Sequence, residues 1–241
     1  MSVITLKDIH NALRDLGKDT KSANELAILY SQAKNEYIIR DKLDIFFTQY
    51  LKGKPFQIIR EWVYSNSIKD NNSPTRSNNK AIDLAIHEKN RISMNFEPVV
   101  LMEFKCERTF HTFDWLKKSD VMINKDLNRL DSIKTYYKNN KNHELSYFGI
   151  IIGVDFEGKV PENFYILNKH YKGMNKNRKE PDIIRDKLRT GIQKIHRDHY
   201  IVTEEIIKLG KALNDNIEVN LYCWIISEKK DCDFSELHLL V

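Results

Sequence analysis

Residues 80–107 read KAIDLAIHEKNRISMNFEPVVLMEFKCE, and two short apolar runs within this stretch each contain an acidic residue. The first run, IDLAI, contains Asp83, and the second, VVLMEF, contains Glu103. The lengths of the runs, their β-branched residues and the turn residues between them predict two neighbouring strands rather than helices. Because side chains two residues apart share one face of a strand, Glu103 and Lys105 are predicted to project side by side.

Asp83 is predicted to share its strand face with two small residues, Ala81 and Ala85, which leave room around the carboxylate. An ionised group within an apolar strand is costly unless it is paired or binds a metal. Two carboxylates on neighbouring strands repel each other, and a divalent cation removes that repulsion. Oxygen ligands of this kind suit Mg²⁺ or Mn²⁺. Lys105 would add a positive charge where a phosphate, or the water that attacks it, would lie, so the pattern suits metal-dependent hydrolysis of a phosphodiester.

The Glu-x-Lys tripeptide also has a simpler interpretation, because a same-face ion pair between Glu103 and Lys105 is common on exposed sheet faces. Two further observations favour the metal site. One is Asp83 on the preceding strand, and the other is an acidic residue on the predicted helix described next.

The region before this stretch predicts two helices. Apolar spacing indicates a short helix over residues 2–17, and the capping-box pattern Ser22-Ala-Asn-Glu25 predicts a second helix from about Ala23 to Leu51. Glu36 and Arg40 fall within the apolar stripe of that second helix. The stripe is formed by Leu29, Ala33, Leu43, Phe47 and Leu51.

An acid on the apolar stripe of a helix requires an explanation, and two are open. Glu36 and Arg40 either pair with each other one turn apart and reach the rim, or Glu36 faces the sheet. In the second case Glu36 joins Asp83 and Glu103 around a metal, and Arg40 lies near a phosphate.

The remaining patterns predict an α/β protein with a mixed sheet flanked by helices. Strands are predicted at 57–64, 146–154, 162–168 and 218–227, and helices at 119–138, 181–196 and 203–213. Two polar loops carry basic residues that either contact phosphates or are simply solvated. These residues are Lys69, Arg76 and Lys80 in the first loop and Arg178 and Lys179 in the second.

The composition describes a globular protein: 41% of the 241 residues are hydrophobic and 30% are charged. No linker divides the chain, so we predict one domain over residues 1–241, with a core at about 23–154 and a C-terminal elaboration at about 155–241. A net charge of +5 permits a nucleic-acid partner without requiring one. Three cysteines are too few for a disulfide framework, and no apolar run approaches ~20 residues, so we expect a cytoplasmic protein with no membrane partner.

A helical Glu, a strand Asp and a Glu-x-Lys on the next strand, followed by a helix and a strand, resemble the PD-(D/E)xK nuclease superfamily and its restriction-endonuclease-like fold. The resemblance covers about residues 30–154, and Ile82 stands where the motif has Pro. It implies Asp83 and Glu103 as metal ligands and Lys105 as the group that orients or activates the attacking water.

The same resemblance implies Glu36 as a further ligand and Mg²⁺ as the cofactor, with Mn²⁺ able to substitute. The implied activity is that of a DNA endonuclease of restriction or anti-phage type, acting on double-stranded DNA. A homodimer would let two sites cut both strands. On the following helix, Asp126 and Arg129 either lean toward the site or serve helix capping and surface pairing. The alternative function is a non-catalytic nucleic-acid-binding or scaffolding protein that retains the nuclease fold.

Overall fold

The structure, a computed structural model, describes residues 3–18, 20–32, 36–64, 81–89, 95–108, 112–158, 190, 200–212 and 217–229. Within these ranges lie four helices: α1 (Leu6–Lys18), α2 (Thr20–Gln32), α3 (Glu36–Tyr50) and α4 (Thr112–Lys141). They also contain six strands: β1 (Phe56–Val63), β2 (Ala81–Lys89), β3 (Phe96–Arg108), β4 (Ser146–Gly158), β5 (Tyr200–Ala212) and β6 (Ile217–Glu228).

The six strands form one mixed sheet in the order β1-β2-β3-β4-β6-β5. Strands β3 and β4 are parallel, and the other neighbouring pairs are antiparallel. Two adjacent parallel strands need a crossover connection, which α4 provides. The prediction of an α/β protein with a mixed sheet flanked by helices is therefore confirmed.

Each face of the sheet packs against its own set of helices. On one face, apolar side chains of α1, α2 and α3 meet alternate strand residues such as Leu84, Met102 and Ile150. On the other face, α4 contributes Leu127 and Leu130 to a smaller core. The alternation follows from the two-residue period of a strand, and it assigns Glu103 and Lys105 to the α4 face.

The two strands predicted within residues 80–107 are present as β2 and β3, and both are longer than predicted. Strands β4 and β6 also match their predictions. The predicted strand at 162–168 lies outside the described residues, and so does the helix predicted at 181–196 apart from Thr190, which is helical. None of the helices in the described ranges is both long enough and apolar enough to cross a bilayer.

The prediction of one helix from Ala23 to Leu51 is wrong, because α2 and α3 are separate helices. A single continuous helix would put Leu29 on the buried apolar stripe, whereas 46% of Leu29 is exposed. The buried side chains of α2 are Ala23, Leu26, Ala27 and Tyr30.

The first helix begins at Leu6 rather than at residue 2 because of a reciprocal cap. The backbone N–H of Thr5 donates to Asp8 Oδ2 at 2.8 Å, and the N–H of Asp8 donates to Thr5 Oγ1 at 3.3 Å. The next helix starts at Thr20, three residues earlier than predicted.

The predicted helix at 203–213 is also wrong, since residues 203–212 belong to β5, which pairs with β6. Their β-branched side chains favour a strand, and this preference outweighs the helical spacing of the apolar residues. Gly210 has a φ of +103° beside a register shift, and Asn24 of α2 lies directly against it. A residue with a Cβ would be strained there, so the bulge requires glycine.

His87 on β2 is a buried imidazole, 4% exposed, whose ring centroid lies 5.1 Å from that of Trp62. Among the described residues, its Nε2 atom has no hydrogen-bond partner. Burial lowers the pKa of His87 to about 4, although a hydrogen bond with the Phe96 backbone acts in the opposite direction. The folded protein therefore binds this proton less readily than the unfolded chain does.

Because the folded pKa of His87 is depressed, its contribution to stability is present above pH 6.5 and is lost as the pH falls toward 4. We expect the free energy of unfolding of the native protein to fall by about 2–3 kcal/mol more between pH 7 and pH 4.5 than that of His87→Gln. Urea unfolding curves at the two pH values measure this difference, and equal losses in the two proteins would contradict the assignment.

Candidate active site

The strand register brings Asp83 and Glu103 together. Strands β2 and β3 pair Leu84 with Met102 and Ala85 with Leu101, so the same register places Asp83 opposite Glu103. The Asp83 side chain also bonds to the neighbouring strand. Its Oδ2 accepts the backbone N–H of Phe104 at 2.8 Å, in place of a backbone carbonyl. The predicted juxtaposition of these two acids is therefore present.

Helix α4 adds two charged side chains that the sequence left undecided. Arg129 donates through Nη2 to Glu103 Oε1, and the same nitrogen lies 3.2 Å from Asp126 Oδ1. Lys105 Nζ lies 3.3 Å from Asp126 Oδ2. Arg129 thus links Glu103 of the sheet to Asp126 of α4, and Lys105 pairs with the other oxygen of Asp126, so Asp126 and Arg129 belong to the candidate site.

Gly149 lies where α4 packs on the sheet. It is the β4 partner of Glu103 in the parallel register, and a Cβ at this position would lie 3.2 Å from Leu127 Cδ2 of α4. Such a contact is tighter than normal packing, so a larger residue would require the Leu127 side chain to shift by a few tenths of an ångström.

The Glu103 carboxylate is the buried centre of this cluster, with 4% of the residue exposed. Burial raises its pKa well above the ordinary value, and the nearby charges of Asp83 and Asp126 act in the same direction. Arg129 and Lys105 lower the pKa in opposition. The site therefore concentrates negative charge in a poorly solvated place, where neighbouring cations stabilise the ionised form.

A pocket of about 10 Å³ opens beside these groups, with room for about one water molecule. Glu103, Lys105 and Asp126 are among the residues that line it, although nearly all of the lining surface is apolar. The rest of the lining is apolar and comes from Leu127, Leu130, Gly149, Ile150, Ile151 and Ile226. Apolar walls strengthen the electrostatic effect of the three charged groups on anything bound there.

Arg40, predicted to lie near a phosphate, is engaged with two acids. Its Nε donates to Asp41 Oδ1 at 3.0 Å, and its Nη1 donates to Glu61 on β1. The Tyr37 ring centroid lies 4.5 Å from the guanidinium carbon. Arg40 is thereby held between α3 and the edge strand of the sheet.

Glu61 was not identified from the sequence, although it lies in the same cross-strand row as Asp83. The pairs Arg60 with Leu84 and Trp62 with Ile82 enclose this position on β1. Glu61 has a φ of +50°, a strained conformation for a residue with a side chain, and its carboxylate contacts Arg40. An acid within the predicted first strand was the available signal, but the register of that strand on β2 could not be derived from the sequence of residues 65–80 between them.

The other predicted site residues lie beyond what the structure describes. Glu36 begins α3, but its side chain is outside the described part. The five basic loop residues, Lys69, Arg76, Lys80, Arg178 and Lys179, also fall outside it.

The donor set fits a hard divalent cation in its chemistry, because Asp83, Glu103 and Asp126 offer carboxylate oxygens. In the described part of the chain, no three His, Cys, Asp or Glu side chains are grouped closely enough to hold a metal. Arg129 instead contacts Oε1 of Glu103. Part of the positive charge that a divalent cation would bring is supplied here by a guanidinium.

No protein-family model matches this chain, and neither a curated protein nor a solved structure matches it. The chemistry of the site therefore has to be argued from its own residues.

Asp83→Asn keeps an oxygen that can accept the Phe104 N–H, whereas Asp83→Ala leaves that donor without its partner. Both variants remove the charge, so their difference isolates the hydrogen bond. We expect Asp83→Ala to be less stable than Asp83→Asn by about 1–3 kcal/mol, the cost of an unsatisfied buried donor. Denaturant unfolding of both variants measures this, and equal stabilities would show that the hydrogen bond contributes nothing.

Proposed function

We propose that this protein is a metal-dependent DNA endonuclease of the PD-(D/E)xK superfamily, of restriction or anti-phage type, that hydrolyses phosphodiester bonds in double-stranded DNA. One observation carries the proposal. Asp83 and Glu103 face each other across β2 and β3, and Lys105 lies two residues further along the same strand, beside a small pocket.

The order of elements supports the proposal. Helix α3 precedes the antiparallel strands β1, β2 and β3, and α4 then crosses to β4, which runs parallel to β3. This is the series that the resemblance implies for a restriction-endonuclease-like core. The two acids fall on its second and third strands, where that resemblance places the metal ligands.

In the proposed site, Asp83 and Glu103 would hold Mg²⁺ or Mn²⁺, with Glu36 as a further donor. When bound, the cation supplies a more acidic water and offsets charge that develops on the phosphate. Lys105 is positioned to donate a hydrogen bond from Nζ to the attacking water or to a phosphate oxygen. Its contact with Asp126 restricts the direction of the ammonium, which helps to orient that donor.

A homodimer in the cytoplasm would allow two such sites to cut both strands of DNA. The mildly basic composition is compatible with a polyanionic substrate.

A specific observation favours a second candidate, a non-catalytic nucleic-acid-binding protein that keeps the nuclease fold. Arg129 contacts Glu103, and no three potential ligands are grouped in the described residues. A permanent ion pair would replace the metal in such a protein. The two candidates differ in whether metal binds and whether Lys105 is required for cleavage.

Replacement of Lys105 by alanine is the direct test of catalysis. We expect Lys105→Ala to reduce Mg²⁺-dependent cleavage of plasmid DNA by about 100-fold or more, because the variant loses the donor at the reacting phosphate. Gel analysis of supercoiled, nicked and linear plasmid measures the rate.

Lys138→Ala is the matched control, since Lys138 is an exposed lysine near the end of α4. It should cleave at the native rate. Equal cleavage by the native protein and Lys105→Ala, in preparations free of contaminating nuclease, would reject the proposed activity. Parallel assays on single-stranded DNA and RNA identify the substrate class.

Metal binding should also be visible as stabilisation of the folded protein. At a free Mn²⁺ concentration of about 100 times Kd, we expect the Tm to rise by about 5–10 °C. Asp83→Asn should show little of this rise, because it loses a charged ligand while keeping the hydrogen bond to Phe104. Equal shifts in both proteins would place the metal elsewhere.

A further inference from the structure

We propose that β5 is a dimer interface, at which the edge strands of two copies of this chain pair antiparallel about a two-fold axis through Ile206. The interface is independent of the proposed function, since pairing of β5 does not require the protein to cut DNA.

Strand β5 lies at one end of the described sheet, and β6 is its one neighbour among the described strands. The backbone N–H and C=O groups along the other side of an edge strand are a template for a further strand. Ile206, at the middle of β5, is 42% exposed. A partner strand that pairs with β5 would remove part of this apolar side chain from water, which favours pairing.

The charges on β5 fit a second copy of the same strand. Glu204, Ile206 and Lys208 project from one face, because side chains two residues apart share a face. With Ile206 on the axis, each isoleucine lies opposite its own copy, and Glu204 lies opposite Lys208 of the partner subunit. The two-fold axis repeats this ion pair. Opposite charges directly across an antiparallel pair stabilise it, whereas like charges destabilise it.

The charge match fixes the register. Only the pairing centred on Ile206 places Glu204 opposite Lys208 of the partner subunit. If the axis moves by one residue, to Glu205 or to Ile207, then Ile206 falls opposite a charged side chain and both ion pairs are lost.

The carboxylate of Glu204 is oriented before any partner arrives. Its Oε2 accepts the indole N–H of Trp224 at 3.0 Å. A carboxylate has several lone pairs, so it can still accept from an ammonium group across the interface. Lys208 is exposed, and its long side chain can reach that acceptor.

The opposite edge strand of the described sheet, β1, lacks this complementarity. A two-fold axis through Arg60 or through Glu61 would place two like charges face to face. The φ of +50° at Glu61 also departs from the extended conformation that strand pairing needs. We therefore assign the dimer interface to β5 rather than to β1.

The paired stretch is short and covers residues 203–209. Beyond it, β5 has its bulge at Gly210, and the backbone N–H of Lys211 donates to Asn24 Oδ1 of α2 at 3.3 Å. That donor is not free for a partner strand. A short interface of this kind predicts a reversible dimer rather than a permanent one.

The first experiment measures the oligomeric state of the full chain by analytical ultracentrifugation. We expect the native protein to dimerise reversibly. Lys208→Glu places acids opposite each other on both sides of the axis, and Glu204→Lys does the same with ammonium groups. We expect each variant alone to dimerise about tenfold more weakly than the native protein, or more weakly still.

An equal mixture of Lys208→Glu and Glu204→Lys is the decisive sample. In a mixed dimer every reversed charge meets an opposite charge, so both ion pairs return and we expect dimers at about the native affinity. Damage to either fold would not produce this rescue. A mixture of two folded variants that stays monomeric would overturn the interface.

The second experiment does not depend on the charged side chains. Directly opposite residues of an antiparallel pair have Cα atoms about 4.5–5.5 Å apart, which is within the range for a disulfide. We expect Ile206→Cys to form a covalent dimer under mild oxidation, in a Cys232→Ser background. Cys106 and Cys223 are buried and should not react.

Val63→Cys is the matched control, because Val63 lies on β1 and is 59% exposed. It should cross-link much more slowly than Ile206→Cys. Equal rates for the two variants would indicate random collision and overturn the interface. A native protein that remains monomeric at about 100 µM would also overturn it, and would leave this edge to another segment such as the strand predicted at 162–168.

Failure of the interface is distinguishable from failure of the proposed function. If the native protein is monomeric and cuts DNA in a manner that requires Lys105, the nuclease stands and the interface is rejected. If the native protein dimerises with the expected charge rescue but does not cut DNA, the interface stands and the nuclease is rejected.

Discussion

The burial of the Glu103 carboxylate is the constraint on which the candidate site depends. A central strand of the sheet carries an ionisable acid with 4% exposure, and the ionised form of such a group needs compensating charge beside it. That charge comes from Arg129, so α4 must dock close to β3 and β4. Gly149 lies against Leu127 of the same helix, and a side chain there would require Leu127 to shift. One buried acid thus accounts for the charged contacts that α4 makes with the sheet.

The two faces of the sheet are stabilised in different ways. The face that packs on α1, α2 and α3 forms an extensive apolar core. The α4 face combines a smaller core with polar links: the hydroxyls of Tyr147 and Tyr200 donate to Asp131, and Lys134 donates to Glu228. Removing one partner of a buried hydrogen bond destabilises the fold, so these directional contacts, as well as burial, hold α4 in register. This directionality suits a helix that presents side chains to a reactive site.

The sequence was sufficient to predict those features of the site that depend on residues close together in the chain. Asp83 and Glu103 stand out because acids rarely interrupt apolar strands, and the two-residue period then assigns Lys105 to the same face. Helix packing is a different problem. The spacing of α4 shows its apolar side but not its distance from the sheet, so the roles of Asp126 and Arg129 could not be decided.

The errors in the secondary structure have a similar origin. Residues 200–212 mix polar and apolar side chains in a pattern that fits a helix, and pairing with β6 decides in favour of a strand. Glu61 was missed because the register of β1 on β2 depends on chain pairing across residues 65–80, which no local pattern encodes. In both places the missing information was a pairing between strands distant in the sequence, although at β5 the β-branched side chains also favoured a strand.

The position of β6 has a consequence for synthesis of the protein. It lies between β4 and β5 in the sheet although it follows both along the chain. As the polypeptide leaves the ribosome, β4 emerges with one hydrogen-bonding edge exposed, and that edge stays without its partner until β6 has been translated, a delay on the order of several seconds. Since β4 carries the run FGIIIGV, the nascent chain displays an aggregation-prone strand during this interval. Folding of the new chain then requires that this edge be kept from pairing with other chains until β6 arrives.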